Sequence, residues 1–197
     1  MLNTEQYKLN AEQALKKLMD GNKRFVNFER QTPILSAEER KKLIHKQSPY
    51  AIVITCSDSR VSPEIICDCG LGEIFVIRVA AGALSENMLG SIEYAVLALG
   101  VELILMLGHD NCGVMEAILH DQADMSEDIK KLCAHVSRHF TEEQKSTLSS
   151  SEGVRYVTEQ DVKLLESIPV LKEKIKQGKL QVVGAHYNFH TNEIELL

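Results

Sequence analysis

Four short runs of aliphatic and β-branched residues are the feature that most constrains how this chain can fold. They lie at 50–55, 74–77, 103–107 and 180–185, and segments with helical apolar spacing separate them. Because these runs have strand length but almost no alternating polar residues, they are typical of strands that are buried on both faces. Strands that alternate with helices predict an α/β fold with a mostly parallel central sheet and helices on both of its faces.

The N-terminal quarter of the chain has helical patterns only. Apolar spacing predicts a first helix that begins at Thr4 and ends at Gly21-Asn22. Ser36 with Glu39 matches a capping box that opens a second helix. We therefore predict a single domain over 1–197 that carries an N-terminal helical arm over 1–47.

Charge and cysteine usage exclude several classes of protein. The chain has 28 acidic and 22 basic residues and a net charge of −6, which argues against nucleic acid or an anionic membrane as the main partner. The apolar stretch 94–108 is too short to span a bilayer, and the first residues lack the pattern of a secretory signal, which predicts a cytoplasmic protein. Five cysteines, an odd number, are more typical of thiols, metal ligands or nucleophiles than of a disulfide framework.

Two of the predicted strands end in residues that carry chemistry. Cys-x-Asp-x-Arg follows the first strand, and Gly-His-x-x-Cys-Gly follows the third. Ligands of open α/β sheets bind beyond the carboxyl ends of the strands, so Cys56, His109 and Cys112 meet if these two strands are neighbours. Two thiolates and one imidazole suit Zn²⁺ and leave a fourth position open. Asp58 either ligates the metal or accepts a hydrogen bond from a metal-bound hydroxide, and Arg60 offers a compensating positive charge.

Other candidate sites have simpler interpretations. Cys67 and Cys69 have no second pair of cysteines and are interpreted as structural thiols. His135 and His139 lie one helical turn apart without the glutamate of a zincin motif, which favours a solvated helix face. The polar stretch 141–152 is predicted to be a loop.

The motifs around the candidate metal ligands resemble those of the β-class carbonic anhydrases, and the similarity covers nearly the whole chain. The matching segments are 21–25, 56–60, 75–78, 90–96 and 108–113. The resemblance implies a zinc enzyme that hydrates carbon dioxide reversibly to bicarbonate and a proton by means of a zinc-bound hydroxide. It implies zinc ligation by Cys56, His109 and Cys112, with Asp58 or water in the fourth place, and a catalytic dyad in which Arg60 draws Asp58 away from the metal.

The resemblance also implies an active site at a subunit interface, in a homodimer or a dimer of dimers, with the arm over 1–47 packing on the partner subunit. Gln47 matches a glutamine that the plant-like subtype borrows from the partner. Phe75, Tyr94 and Gly113 complete the expected substrate-binding set.

One segment departs from the family pattern. Residues 78–82 read Arg-Val-Ala-Ala-Gly, whereas the family usually has Arg-Asn-Ala-Gly-Asn. Two alternatives therefore stay open: a hydrolase of COS or CS₂ with the same metal ligands, and a zinc-binding regulatory protein without catalysis.

Overall fold

A computed structural model of the chain describes residues 8–32, 34–120 and 125–197. Within these residues a five-stranded sheet forms the centre of the fold. Its strands are β1 (Ala51–Cys56), β2 (Ile74–Val79), β3 (Leu103–His109), β4 (Gln181–Tyr187) and β5 (Ile194–Leu196). Their order across the sheet is β2-β1-β3-β4-β5. The first four strands are parallel, and β5 pairs with β4 in the antiparallel direction. The predicted α/β class with a mostly parallel sheet is confirmed.

Two of the described helices precede the first strand, and the others lie between the parallel strands. The helices are α1 (Ala11–Val26), α2 (Ala37–Leu43), α3 (Pro63–Ile66), α4 (Glu86–Leu97), α5 (Gly113–Leu119), α6 (Glu127–Ser137), α7 (Glu142–Thr147), α8 (Ser150–Ser167) and α9 (Pro169–Lys176). A short 3₁₀ turn, Ala80–Gly82, follows β2. None of the helices in the described residues is both long and apolar enough to cross a membrane.

The sheet separates two apolar layers. On one face, Val53 and Leu105 pack in a cluster with α1 and α3. On the other face, Ile54 and Ile104 pack in a cluster with α4, α8 and α9. Neighbouring residues of a strand point to opposite faces, so these two sets follow directly from the uninterrupted apolar runs in the sequence.

The prediction that Gly21-Asn22 ends the first helix is wrong, because α1 continues to Val26 and packs on this chain's own sheet. Gly21 is needed for close packing: a Cβ atom at this position would lie 1.9 Å from the carbonyl oxygen of Cys67. The predicted cap Thr4 lies outside the described residues, and Asn10 caps α1 with a capping box.

Asn22 is 3% exposed and connects α1 to two distant segments. Its amide nitrogen donates to the carbonyl oxygens of Ile66 and Asn192, at 3.1 and 3.0 Å. Its amide oxygen accepts from the backbone N–H of Ile194 at 2.9 Å. Glycine and asparagine are common helix terminators, but here both residues serve tertiary packing.

The prediction of a loop over 141–152 is also wrong. This stretch contains α7 and the start of α8, and both helices begin with a capping box, formed by Thr141 with Gln144 and by Ser149 with Glu152. Two of the residues that suggested a loop, Thr141 and Ser149, therefore act as helix caps, and the remaining serines lie inside the helices.

His135 of α6 and His139, in the turn that follows this helix, do not form a solvated helix face. A ring nitrogen of His135 lies 2.7 Å from the carbonyl oxygen of Leu84, and Nε2 of His139 lies 3.4 Å from a carboxylate oxygen of Asp161 on α8. Both residues are half-buried and contact other parts of the fold.

Candidate metal centre

The candidate site lies where β1 and β3 stop pairing. Thr55 and Leu107 form the last paired position of the two strands, and the Thr55 hydroxyl donates to the carbonyl oxygen of Leu107 at 2.8 Å. Cys56 ends β1 and His109 ends β3. Beyond the last pair the chains separate, and the side chains that follow converge at the carboxyl edge of the sheet.

Three potential metal ligands meet in this place. The side-chain donor atoms of Cys56, His109 and Cys112 all lie within 4.8 Å of one another, and all three residues are buried. In the described part of the chain this is the only such cluster of three or more His, Cys, Asp or Glu side chains. The three side chains line a cavity of about 20 Å³. This volume exceeds the roughly 10–15 Å³ that a water molecule needs, so an ion fits.

The imidazole of His109 is oriented for ligation. Its Nδ1 lies 2.7 Å from the backbone carbonyl oxygen of Asp110, which favours a proton on Nδ1 and a free lone pair on Nε2. Nε2 is buried and has no hydrogen-bond partner among the residues that the structure describes. A buried polar atom without a partner is costly, and a metal ion would satisfy it.

The two thiols of the cluster are inequivalent. A hydrogen bond from Cys112 lowers the pKa of the Cys56 thiol well below its usual range, with contributions from His109 and from the backbone N–H of Ala81. The same interaction with Cys56 raises the pKa of the Cys112 thiol, and burial adds to this effect. Thiolates are the metal-binding form, so the sulfur, nitrogen and sulfur atoms suit Zn²⁺.

Asp58 and Arg60 form a closed ion pair next to the cluster. Nε and an Nη of Arg60 donate to the two carboxylate oxygens of Asp58 at 2.9 and 2.7 Å. Hydrogen bonds from Arg60 lower the pKa of Asp58 to about 2. Arg60 also donates to the carbonyl oxygen of Asn111 at 3.2 Å, so it connects the loop after β1 to the loop after β3. In this arrangement the Asp58 carboxylate faces Arg60 and is not part of the three-residue cluster.

The segment that departs from the family pattern contacts the cluster through its main chain. The backbone N–H of Ala81 donates to Sγ of Cys56 at 3.2 Å, and Ala81 adopts the left-handed φ of 59°. Arg78 donates to the carbonyl oxygens of Cys56 at 3.1 Å and of Asp58 at 2.7 Å. Sequence reasoning missed this role of Arg78, although a charged residue near the end of an otherwise apolar strand was a usable signal.

Of the four predicted substrate-binding residues, Gly113 alone lies beside this chain's own cluster, as the first residue of α5 after Cys112. Gln47 and Tyr94 instead line a groove of about 880 Å³ at the amino edge of the sheet. Gln47 precedes β1 and Cys56 ends it, so the length of the strand separates them by about 17 Å. The ring centroid of Phe75 lies 6.5 Å from that of Tyr94.

Comparisons with known proteins agree with this geometry. Residues 51–194, well over half of the chain, match the family model described as carbonic anhydrase. Carbonic anhydrase 2 of Mycobacterium tuberculosis is 37% identical over 179 residues, which cover 88% of this chain and 86% of that protein. A carbonic anhydrase of Mycolicibacterium smegmatis is 36% identical over 188 residues, which cover 93% of this chain and 91% of that protein.

Solved structures support the same assignment. One of two tetrameric β-carbonic anhydrases from Sordaria macrospora superposes with a TM-score of 0.73 at 25% identity, covering 93% of this chain and 96% of the other. The β-carbonic anhydrase of Coccomyxa gives a TM-score of 0.71 at 26% identity, covering 93% and 86%. The chain belongs to the β-carbonic anhydrase family.

Proposed function

We propose that the protein hydrates carbon dioxide reversibly to bicarbonate and a proton, with Zn²⁺ held by Cys56, His109 and Cys112. The observation that carries this proposal is the unpartnered, buried Nε2 of His109 facing two thiols, directly beside an ionised carboxylate. Three protein ligands are typical of a catalytic zinc site, since a structural site usually has four.

Zinc in this cluster would supply a Lewis acid that allows water to ionise near neutral pH. The chain's own residues then have separate tasks. Asp58 stays ionised at any physiological pH because its pKa is about 2, and its oxygens have lone pairs beyond those used by Arg60. Asp58 can therefore accept a hydrogen bond from the reacting water and fix its orientation.

Arg60 holds the carboxylate and supplies charge. Its two hydrogen bonds to Asp58 and a third to Asn111 fix it at the edge of the cluster. Two thiolates cancel the charge of a divalent ion, which weakens its acidifying effect, and a guanidinium nearby offsets part of that loss. A zinc site without catalysis would need neither residue.

We also infer that the active unit is at least a homodimer, in which Gln47, Phe75 and Tyr94 of one subunit line the site of its partner. Support comes from the position of Gln47 and Tyr94 at the amino edge of the sheet, away from this chain's own cluster, from the contact of Phe75 with Tyr94, and from the tetrameric relatives. In the predicted arm over 1–47, α1 packs on its own sheet and Gln31 and Thr32 bind Asp68, so the exposed apolar side chains in the part after Val26 are the ones available to a partner. Phe28 and Ile34 in that part are 95% and 98% exposed.

We propose that the protein works in the cytoplasm, because this compartment is reducing and keeps the thiols of the site intact. The five cysteines are all free thiols, and the two cysteines of the cluster would lose metal affinity on oxidation.

The test is stopped-flow hydration of carbon dioxide by zinc-loaded protein, together with metal analysis. We expect Cys56→Ser to lose the metal, and Asp58→Asn to retain the metal and the fold while kcat/KM falls about 100-fold. Asp20→Asn is the matched control, since Asp20 pairs with Lys16 on the surface of α1. We expect it to keep full activity.

Three outcomes would contradict the proposal. Absence of a zinc-dependent hydration rate in the wild-type protein would end it. Sulfide release from COS or CS₂ without hydration of carbon dioxide would assign the protein to the alternative hydrolase. Unchanged turnover in Asp58→Asn would refute the role given to that carboxylate.

A further inference from the structure

The hairpin that follows β4, residues 188–193, places an aromatic ring against both halves of the site. The ring centroid of Phe189 lies 5.3 Å from that of His109, and the two rings are inclined by 31°. The guanidinium carbon of Arg60 lies 4.3 Å from the centroid of the same ring. One side chain thus contacts a candidate metal ligand and the arginine of the dyad.

Asp110 fixes the backbone of Phe189. Its carboxylate accepts the N–H of Phe189 at 3.0 Å through one oxygen. Its other oxygen lies 2.8 Å from Nε2 of His186, which is fully buried, and accepts the hydroxyl of Ser151 at 2.9 Å. Because the carbonyl oxygen of Asp110 also bonds Nδ1 of His109, one residue sets the position of the imidazole and of the ring beside it.

The far end of the hairpin is fixed as well. The Asn22 side chain on α1 binds the carbonyl oxygen of Asn192 and the N–H of Ile194. The ring of Tyr187 lies edge-on to Phe189, at a centroid distance of 5.6 Å and an angle of 80°. The Phe189 ring is therefore confined at its backbone and at one of its sides.

We propose that Phe189 is a positioning residue of the metal centre, whose ring orients the His109 imidazole and keeps the Arg60 guanidinium on Asp58. This role rests on the proposed metal-dependent function. A guanidinium is attracted to the face of an aromatic ring, and a neighbouring ring limits rotation of the imidazole. Groups that orient a metal ligand from outside typically change metal affinity or activity by 10–100-fold.

Phe25 offers a matched comparison for packing. Phe25 and Phe189 are both partly buried, and both pack against the same apolar cluster on the α1 face of the sheet. Replacing either by leucine removes a similar volume from that cluster. Phe189 differs because its ring also contacts His109 and Arg60.

The experiment uses the full chain loaded with Co²⁺ or Zn²⁺, and the variants Phe189→Leu, Phe189→Tyr and Phe25→Leu. The measurements are the absorption bands of the Co²⁺ protein, the zinc affinity by competition with a chelator, and kcat and KM for hydration. For Phe189→Leu we expect shifted bands, an affinity about tenfold lower and a kcat about tenfold lower, with KM within twofold. We expect Phe189→Tyr to have the absorption bands, zinc affinity and kcat of the wild type. We expect Phe25→Leu to lower thermal stability without changing the bands or the affinity.

Three results separate failure of this role from failure of the proposed function. If the wild-type protein binds Co²⁺ and Phe189→Leu matches Phe25→Leu in bands and affinity, Phe189 only fills space and the proposal is overturned. Failure of Phe189→Tyr to restore the bands overturns the role of the aromatic face. A wild-type protein that binds no metal overturns the proposed function, and this role with it.

Discussion

Replacing Asp161 by asparagine should make the protein more stable at alkaline pH. Asp161 lies on the side of α8 that faces the core and is 2% exposed. One of its carboxylate oxygens has no hydrogen-bond partner within the described residues. Burial raises the pKa of this carboxyl from 3.8 to about 7, and Arg138 offsets only part of that shift.

The magnitude and the sign of the effect follow from this shift. The carboxyl is harder to ionise in the folded state, so the folding free energy becomes less favourable as pH rises from the unfolded pKa of 3.8 to the folded pKa of about 7, and the full penalty is present above that pH. A rise of about 3 pKa units at about 1.36 kcal/mol per unit gives a penalty of at most about 4 kcal/mol above pH 7. Below about pH 4 the group is protonated in both states and the penalty disappears. Burial of an asparagine amide has its own cost, so we expect a gain of roughly 1–3 kcal/mol at pH 8.

His139 does not remove this penalty. Its Nε2 lies 3.4 Å from the carboxylate, but burial lowers the pKa of this imidazole, which keeps it largely neutral while Asp161 ionises. If instead a charged pair formed, removing the carboxylate would leave a buried imidazolium and lower the stability. The two cases therefore predict opposite signs for Asp161→Asn.

The assay is urea unfolding at fixed protein and zinc concentrations, from pH 5 to pH 8.5. The unfolding free energy of Asp161→Asn should exceed that of the wild type at pH 8, and the difference should shrink steadily toward pH 5. Asp128→Asn is the control, since the Asp128 side chain is 92% exposed and should track the wild type. An Asp161→Asn variant that is less stable at pH 8, or a difference independent of pH, would refute the reasoning.

Two further substitutions test the fold and the candidate site. Gly21→Ala should destabilise the protein by more than about 2 kcal/mol in thermal unfolding, because its Cβ would meet a backbone oxygen at 1.9 Å. Gly90→Ala in α4, with nothing within 4 Å of the new Cβ, should instead stabilise it by about 0.5–1 kcal/mol, and equal effects would contradict the packing argument. Arg78→Gln removes charged donors to the carbonyl oxygens of Cys56 and Asp58, so zinc affinity in a chelator competition should fall about tenfold. An unchanged affinity would show that these two hydrogen bonds do not fix the loop after β1.

The sequence was sufficient to predict features that depend on residues close to one another along the chain. The apolar runs identify β1 and β3 because burial on both faces leaves no room for alternation, whereas β2 has an apolar run although it is an edge strand that is mostly half-buried. The motifs after β1 and β3 locate the metal cluster, since parallel neighbouring strands must end at the same edge of the sheet. Only the assumption that β1 and β3 are neighbours was needed, and the sheet order confirms it.

Features that depend on contacts between residues far apart in the sequence could not be predicted in this way. Gly21 and Asn22 have the residue types of a helix end, and only the close approach of Cys67 and the hairpin after β4 explains their presence inside α1. Phe189 lies 80 positions from His109 and belongs to no recognisable motif. Gln47 and Tyr94 were identified only through a family resemblance, and one chain alone leaves them at the wrong edge of the sheet.

A continuous chain of contacts connects α1 to the candidate metal centre. Gly21 lets α1 lie against the Cys67 carbonyl, which brings Asn22 to the hairpin after β4. The hairpin carries Phe189, whose ring contacts the His109 imidazole and the Arg60 guanidinium. Packed interiors transmit displacements because they contain few voids that could absorb them. A shift of α1 should therefore reach the metal centre through Phe189, even though no residue of α1 belongs to the Cys-His-Cys cluster.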